Sequence, residues 1–154
     1  MNQAHLHLLV NHVPIVGSLF ACALLGAGLG QRNETLTKAG LVAVLAAGLL
    51  CLPAQLTGQG AAVIAVDLPR VSRALTQNHA AAAEVGFWAL EGAAALALFG
   101  LLLLKNASPR ARLLAGLALL ATALSFGLLA RAGNLGGQIR HTEIREGFGT
   151  PDEL

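Results

Sequence analysis

Four stretches of this chain are apolar for long enough to cross a bilayer: 11–30, 39–56, 79–104 and 112–132. A hydrocarbon core about 30 Å thick takes about 20 residues of helix. In lipid the backbone must satisfy its own hydrogen bonds, so spanning segments are helices or strands of closed barrels. Unbroken apolar runs without strict alternation predict helices. The fold class expected is therefore all-α: an integral membrane four-helix bundle over residues 1–132. Charged residues make up only 12 % of the chain, about half the share in soluble domains. No basic surface for nucleic acid is left, and no glycine-rich phosphate loop or Ser-His-Asp arrangement is present. Tyr is absent and Trp88 is the single Trp, so the aromatic belts that usually flank lipid-facing spans are nearly missing. A surface partly covered by protein, in a homo-oligomer or a larger membrane complex, accounts for that.

The connections 31–38 and 105–111 are short, and 57–78 is longer. Within the long one, 61–66 and 71–75 are expected to form a short interfacial segment broken at Pro69. Gly133, Gly136 and Gly137 are expected to turn the chain sharply, so that 133–154 folds back as a C-terminal cap on the side of the N-terminus. Gly26 and Gly30 have the small-xxx-small spacing that lets helices approach closely in lipid, within the bundle or at a dimer contact. Cys22 and Cys51 fall inside apolar runs and read as small buried residues. No Lys or Arg precedes the first run, which reads as a retained span and not a cleaved signal.

Four alternating spans put both short connections on one face, here the loop face. It carries Arg32, Lys38, Lys105, Arg110 and Arg112 against one acid, Glu34. The opposite face carries Arg70, Arg73, Arg131, Arg140 and Arg145, together with Asp67, Glu143, Glu146, Asp152 and Glu153. Basic counts are equal, but bases in short loops weigh most in orientation. The loop face is expected in the cytoplasm of a bacterial inner membrane, with both termini in the periplasm.

The same alternation places every histidine at the face opposite the short loops. His5, His7 and His12 precede or open the first run, His79 opens the third, and His141 follows the fourth. Imidazole ligates metals and haem iron. A helix starting at Asn11, a good N-cap with Pro14 in its first turn, leaves 1–10 as a separate segment. A helix running through would kink at Pro14 and put His5 and His12 on one face. His12 and His79 stand at the ends of different spans, and two imidazoles on different helices of a bundle can hold a haem iron. Arg131, Arg140 and Arg70 lie at the same level for its propionates. Glu84 and Glu91, seven apart on the third span, share a face with Glu91 about 9 Å inside the membrane boundary. A carboxylate at that depth is a functional-site hypothesis by default.

The opening His5-Leu-His7-Leu-Leu-Val-Asn-His12-Val-Pro-Ile-Val-Gly17 carries a resemblance, as do Leu56-Thr-Gly58, Asn78-His79 and Arg131-Ala-Gly-Asn-Leu-Gly-Gly-Gln-Ile-Arg-His141-Thr-Glu143-Ile. Together they resemble a group of small bacterial four-span membrane proteins of unknown function, over nearly the whole chain. The resemblance implies a haem-binding role. An acid soon after the histidine is expected in the third span, but the chain reads His79-Ala-Ala and Glu84 comes later.

Three functions follow as expectations. The first is a membrane b-type cytochrome, an electron-transfer subunit holding one or two haem b groups through His12 and His79, with His5, His7, His141, Arg131 and Arg140 in support. A quinol or a periplasmic cytochrome would be its partner. The second is a non-haem copper, iron or zinc site built from His5, His7, His12, His79, His141 and Glu84 or Glu91. Its His5-X-His7 arm would chelate if extended, because alternate residues of a strand share a face. The third is a cofactor-free accessory subunit. An electron-transfer or accessory role is favoured over a stand-alone enzyme.

Overall fold

The computed structural model describes residues 1–147. It is a helical bundle of α1 (Gln3–Val10), α2 (Val13–Gly30), α3 (Glu34–Val66), α4 (Arg73–Lys105) and α5 (Ala111–Arg140), followed by a 3₁₀ turn, Thr142–Ile144. Helices α2 to α5 run up and down and pack as a ring, α2 on α3, α3 on α4, α4 on α5 and α5 on α2, while α1 lies against α3. Four helical segments, with α1 and α2 counted as one, are long and apolar enough to cross a membrane. The chain is a multi-pass membrane protein of the class expected.

Local signals set the helix starts. The Asn33 side chain accepts from the Leu36 N–H at 3.1 Å, and the Ser72 hydroxyl accepts from Leu75 N–H at 3.4 Å. These satisfy N-terminal amides that no intrahelical partner reaches. At the loop face, Arg112 Nη2 donates to the Leu29 carbonyl at 2.9 Å, setting a cation on the negative end of the α2 dipole. Each of the three long hairpins turns on a non-glycine residue in the left-handed region: Arg32, Arg70 and Ala107.

Small residues let the backbones meet. A Cβ on Gly28 would lie 2.4 Å from the Thr37 nitrogen, and one on Gly40 would lie 2.6 Å from the Leu25 backbone. Around this α2–α3 contact sits a core of Ala21, Leu25, Leu41, Val44, Ala93, Ala97, Ala115 and Ala118. Buried hydroxyls return to their own helices: Ser18 to the Ile15 carbonyl, Thr122 to Ala118 and Ser125 to Ala121, at 2.9, 2.7 and 2.7 Å. Lipid offers them no other partner. Within the bundle the small-xxx-small pair makes no close contact. A Cβ on Gly26 or Gly30 would meet nothing within 4 Å among the described residues, because Gly28 occupies the face that meets α3.

Two further expectations change. Residues 61–66 do not form a separate interfacial segment; they are the last turns of α3, and α4 begins at Arg73, which leaves only 67–72 as the connection. Both helices run 33 residues, about 50 Å at 1.5 Å per residue, against a core of about 30 Å. Both are thus longer than a perpendicular crossing requires. Likewise, Gly133, Gly136 and Gly137 do not turn the chain. They stay helical to Arg140 and make room for the side chains of Ile15, His79 and Ile144. The chain folds back only after His141. The rest of the expected cap, 148–154, lies outside the described residues.

Replacing Gly28 or Gly40 by Ala will force α2 and α3 apart and lower stability by about 1–3 kcal/mol, as overpacking does. Gly26→Ala, pointing into open space, will leave stability unchanged or raise it. Thermal melting followed by circular dichroism in detergent separates the two outcomes.

Candidate imidazole site

The chain breaks at Asn11 and His12, between α1 and α2. That break lets α1 lie along the histidine-face end of α3. It turns His7 inward, and Nδ1 of His7 lies 3.0 Å from the Ala54 carbonyl oxygen and 3.2 Å from Thr57 Oγ1. The Thr57 hydroxyl is itself committed to the Pro53 carbonyl at 2.7 Å, so it is free to accept. A carbonyl oxygen only accepts. Nδ1 of His7 therefore carries the proton, and Nε2 keeps its lone pair.

His79, in the second turn of α4, is held the same way. Its Nδ1 lies 2.8 Å from the Ala132 carbonyl oxygen on α5, which again puts the proton on Nδ1. The two half-buried rings stand edge to face, with centres 6.4 Å apart and planes at 77°. No hydrogen bond within the described residues engages either Nε2. Glycines face both rings. A Cβ on Gly58 would lie 3.6 Å from Cε1 of His7, and one on Gly136 would lie 3.1 Å from Cε1 of His79.

The pair brought together is thus His7 and His79, not His12 and His79. His12 occupies the N-cap of α2, exposed, with no capping bond from its side chain. His5 is also exposed. Because residues 3–10 are helical, His5 and His7 point about 200° apart around the axis, and the extended two-histidine chelate does not form. Nothing in the periodicity of eight residues distinguishes His7 from His5. The usable signal was Leu56-Thr-Gly58, which supplies the Thr57 acceptor and the Gly58 clearance.

The remaining candidates lie around this pair. His141 Nδ1 pairs with Glu143 Oε1 at 2.8 Å, both exposed. A hydrogen bond to its own backbone N–H and then the His141 side chain hold the Glu143 carboxyl below the ordinary range. Arg145 folds back, donating from Nε to the Gln138 carbonyl at 2.8 Å and from Nη2 to Ile139 at 3.2 Å, and so caps α5. Arg70 and Arg140, with Pro69, Ile139 and Thr142, line an open cavity of about 480 Å³. Arg140 is one helical turn beyond Gly136, so the cavity adjoins the His79 end of the bundle. Arg131 is exposed on α5, and Glu84 is exposed on α4. Glu91 lies deeper, facing Gly48 of α3. Among the described residues no group of three or more His, Cys, Asp or Glu side chains could hold a metal ion.

Nitrogen-15 spectra of histidine-labelled protein will show two imidazoles locked with the proton on Nδ1, and His7→Ala and His79→Ala will each remove one. The Glu143 carboxyl will titrate with a midpoint below its ordinary 4.5. Its contribution to the folded-back turn is thus full above that value and lost as pH falls through the depressed midpoint. Carbon-13 titration checks this. No known protein family, curated protein or solved structure matches the chain.

Proposed function

We propose that the protein is a small electron-transfer subunit of the bacterial inner membrane in which His7 and His79 would hold a haem b. One observation carries this reading: two imidazoles meet, each with Nδ1 tied to a backbone carbonyl, and no third donor among the described residues joins them. Zinc and other non-haem metals ordinarily take three or four protein ligands. A haem brings its own equatorial nitrogens and asks the protein for one or two. The two rings, with centres 6.4 Å apart, would together hold the iron.

The surrounding residues fit the same group. The Nδ1–H bonds orient the rings and raise the basicity of the ligating nitrogens. Gly58 and Gly136 leave the ring edges uncovered where any side chain would press on them. Arg70 and Arg140 put two guanidiniums into the adjoining cavity, suited to bidentate pairing with carboxylates such as propionates. When bound, haem supplies one-electron chemistry. The chain supplies ligation, orientation and charge.

Orientation follows from the loops. The bases Arg32, Lys38, Lys105, Arg110 and Arg112 support a cytoplasmic loop face, which sets the imidazole site toward the periplasm, in reach of a quinol or a periplasmic cytochrome. With the native cysteines replaced, a membrane-impermeant thiol reagent applied to intact spheroplasts is expected to label Gln77→Cys and spare Ser108→Cys. The reverse pattern would invert the orientation.

Protein purified from haem-replete cells is expected to show a sharp reduced α band. His7→Ala and His79→Ala should each abolish or shift it, while His5→Ala, His12→Ala and His141→Ala should retain it. Copper, iron or zinc bound without porphyrin absorbance would overturn the haem reading in favour of a non-haem site. Absence of both would leave an accessory subunit.

A further inference from the structure

From the level of Arg131 to the basic loop face, the spans carry two ionisable carboxylates, Glu84 and Glu91, and no Lys or Arg. Glu84 is exposed near the histidine-face boundary. Glu91 is fourteen residues before Lys105, about 21 Å from the loop face at 1.5 Å per residue, and so inside the hydrocarbon core. Its Oε1 is buried with no hydrogen-bond partner among the described residues. Gly48 opens the facing surface of α3: a Cβ there would lie 3.7 and 3.8 Å from the two carboxyl oxygens. The titratable neighbour on α3 is the Cys51 thiol. At about the same depth on α2 and α5, the Ser18 and Ser125 hydroxyls are committed to Ile15 and Ala121 of their own helices. No cation among the described residues meets the carboxyl, and no hydrogen bond reaches its Oε1.

A second buried acceptor is also without a partner: Asn11 Oδ1. Gly17 of α2 faces Ala47 of α3, and the helices are antiparallel, so Asn11 comes level with the region of Pro53. That is about five residues, or roughly 8 Å, from the Gly48 level toward the histidine face. The next polar groups outward are Thr57 and His7. Two buried acceptors without partners among the described residues, Glu91 Oε1 and then Asn11 Oδ1 toward the histidine face, match a small guest that donates hydrogen bonds: water.

We propose that Glu91 is an intramembrane proton-binding site that exchanges its proton with the histidine face by way of water held at Asn11. An ionised carboxylate at this depth with an orphaned oxygen and no cation is costly, so the resident form is the acid. On release, the carboxyl O–H bond breaks, the proton passes to a water beside Glu91 and on through a second water bound at Asn11 Oδ1 to solvent at the histidine face, and the carboxylate stays behind until it is reprotonated along the same route. Glu84, at the boundary, lies outside this path. The site stands independently of any cofactor at His7 and His79.

Infrared spectroscopy of the reconstituted protein tests this at neutral pH. A protonated-carboxyl stretching band is expected, absent in Glu91→Gln and displaced in Glu91→Asp. Transfer to deuterium oxide should shift the band, and Asn11→Leu should slow that shift several-fold without altering helix content. In parallel, a hydrophobic carbodiimide, which modifies protonated carboxyls, should label Glu91 and spare Glu84 by mass spectrometry of the unmodified chain. The proposal is overturned by absence of the band, by a band that Glu91→Gln leaves intact, by exchange indifferent to Asn11→Leu, or by preferential labelling of Glu84.

Discussion

Every backbone polar group in a bilayer needs a partner within the protein, and Pro53, inside α3, prevents that helix from meeting the demand uniformly. Pro53 has no N–H to give the Leu49 carbonyl, while Pro14 stands in the first turn of α2, where no N–H is needed. Both prolines fall toward the histidine face, on adjoining helices. The side-chain bonds made beside Pro53 shape the site. Thr57 donates back to the Pro53 carbonyl, and His7 brings its Nδ1 to the Ala54 carbonyl and the Thr57 hydroxyl. The chain breaks at Asn11–His12, before Pro14, which frees α1 to deliver that imidazole. At the loop face, helix ends are tied by Asn33 and Arg112 and the core is small aliphatics. Rigidity and chemistry are thereby separated along the bundle axis.

The same imidazole contacts serve two ends. They tie α1 to α3 and α4 to α5, and they leave each Nε2 with its lone pair. A clamp alone would work equally well with an amide side chain. An imidazole adds an unoccupied nitrogen opposite the anchored one, and the glycines beside both rings keep their edges clear. This economy of donors distinguishes the pair from the other three histidines, each exposed and none anchored to another helix.

Much of this architecture was legible in residue patterns. Four apolar runs of sufficient length dictated four spans, and the first helix start was placed within one residue, at Asn11 where His12 takes the N-cap. Helix ends were less legible on the histidine face. Residues 61–66 continue α3 because Ala, Val and Ile offer no stop signal before Asp67. The glycines near 133–137 read as a turn because glycine permits one, yet packing holds them helical so that neighbouring side chains can enter. Gly26 and Gly30 showed a familiar spacing, but helix phase gave the contact to Gly28.

Sequence by itself determined that all five histidines lie on one membrane face, since an even number of crossings between them leaves no alternative once the spans are counted. It also placed Glu91 at depth, by distance along a helix of known rise. Only the tertiary structure decided which histidines meet. That outcome depends on the azimuth of α1 around α3 and on the break at Asn11–His12. Those are set by packing between segments some fifty residues apart, about which no local periodicity carries information.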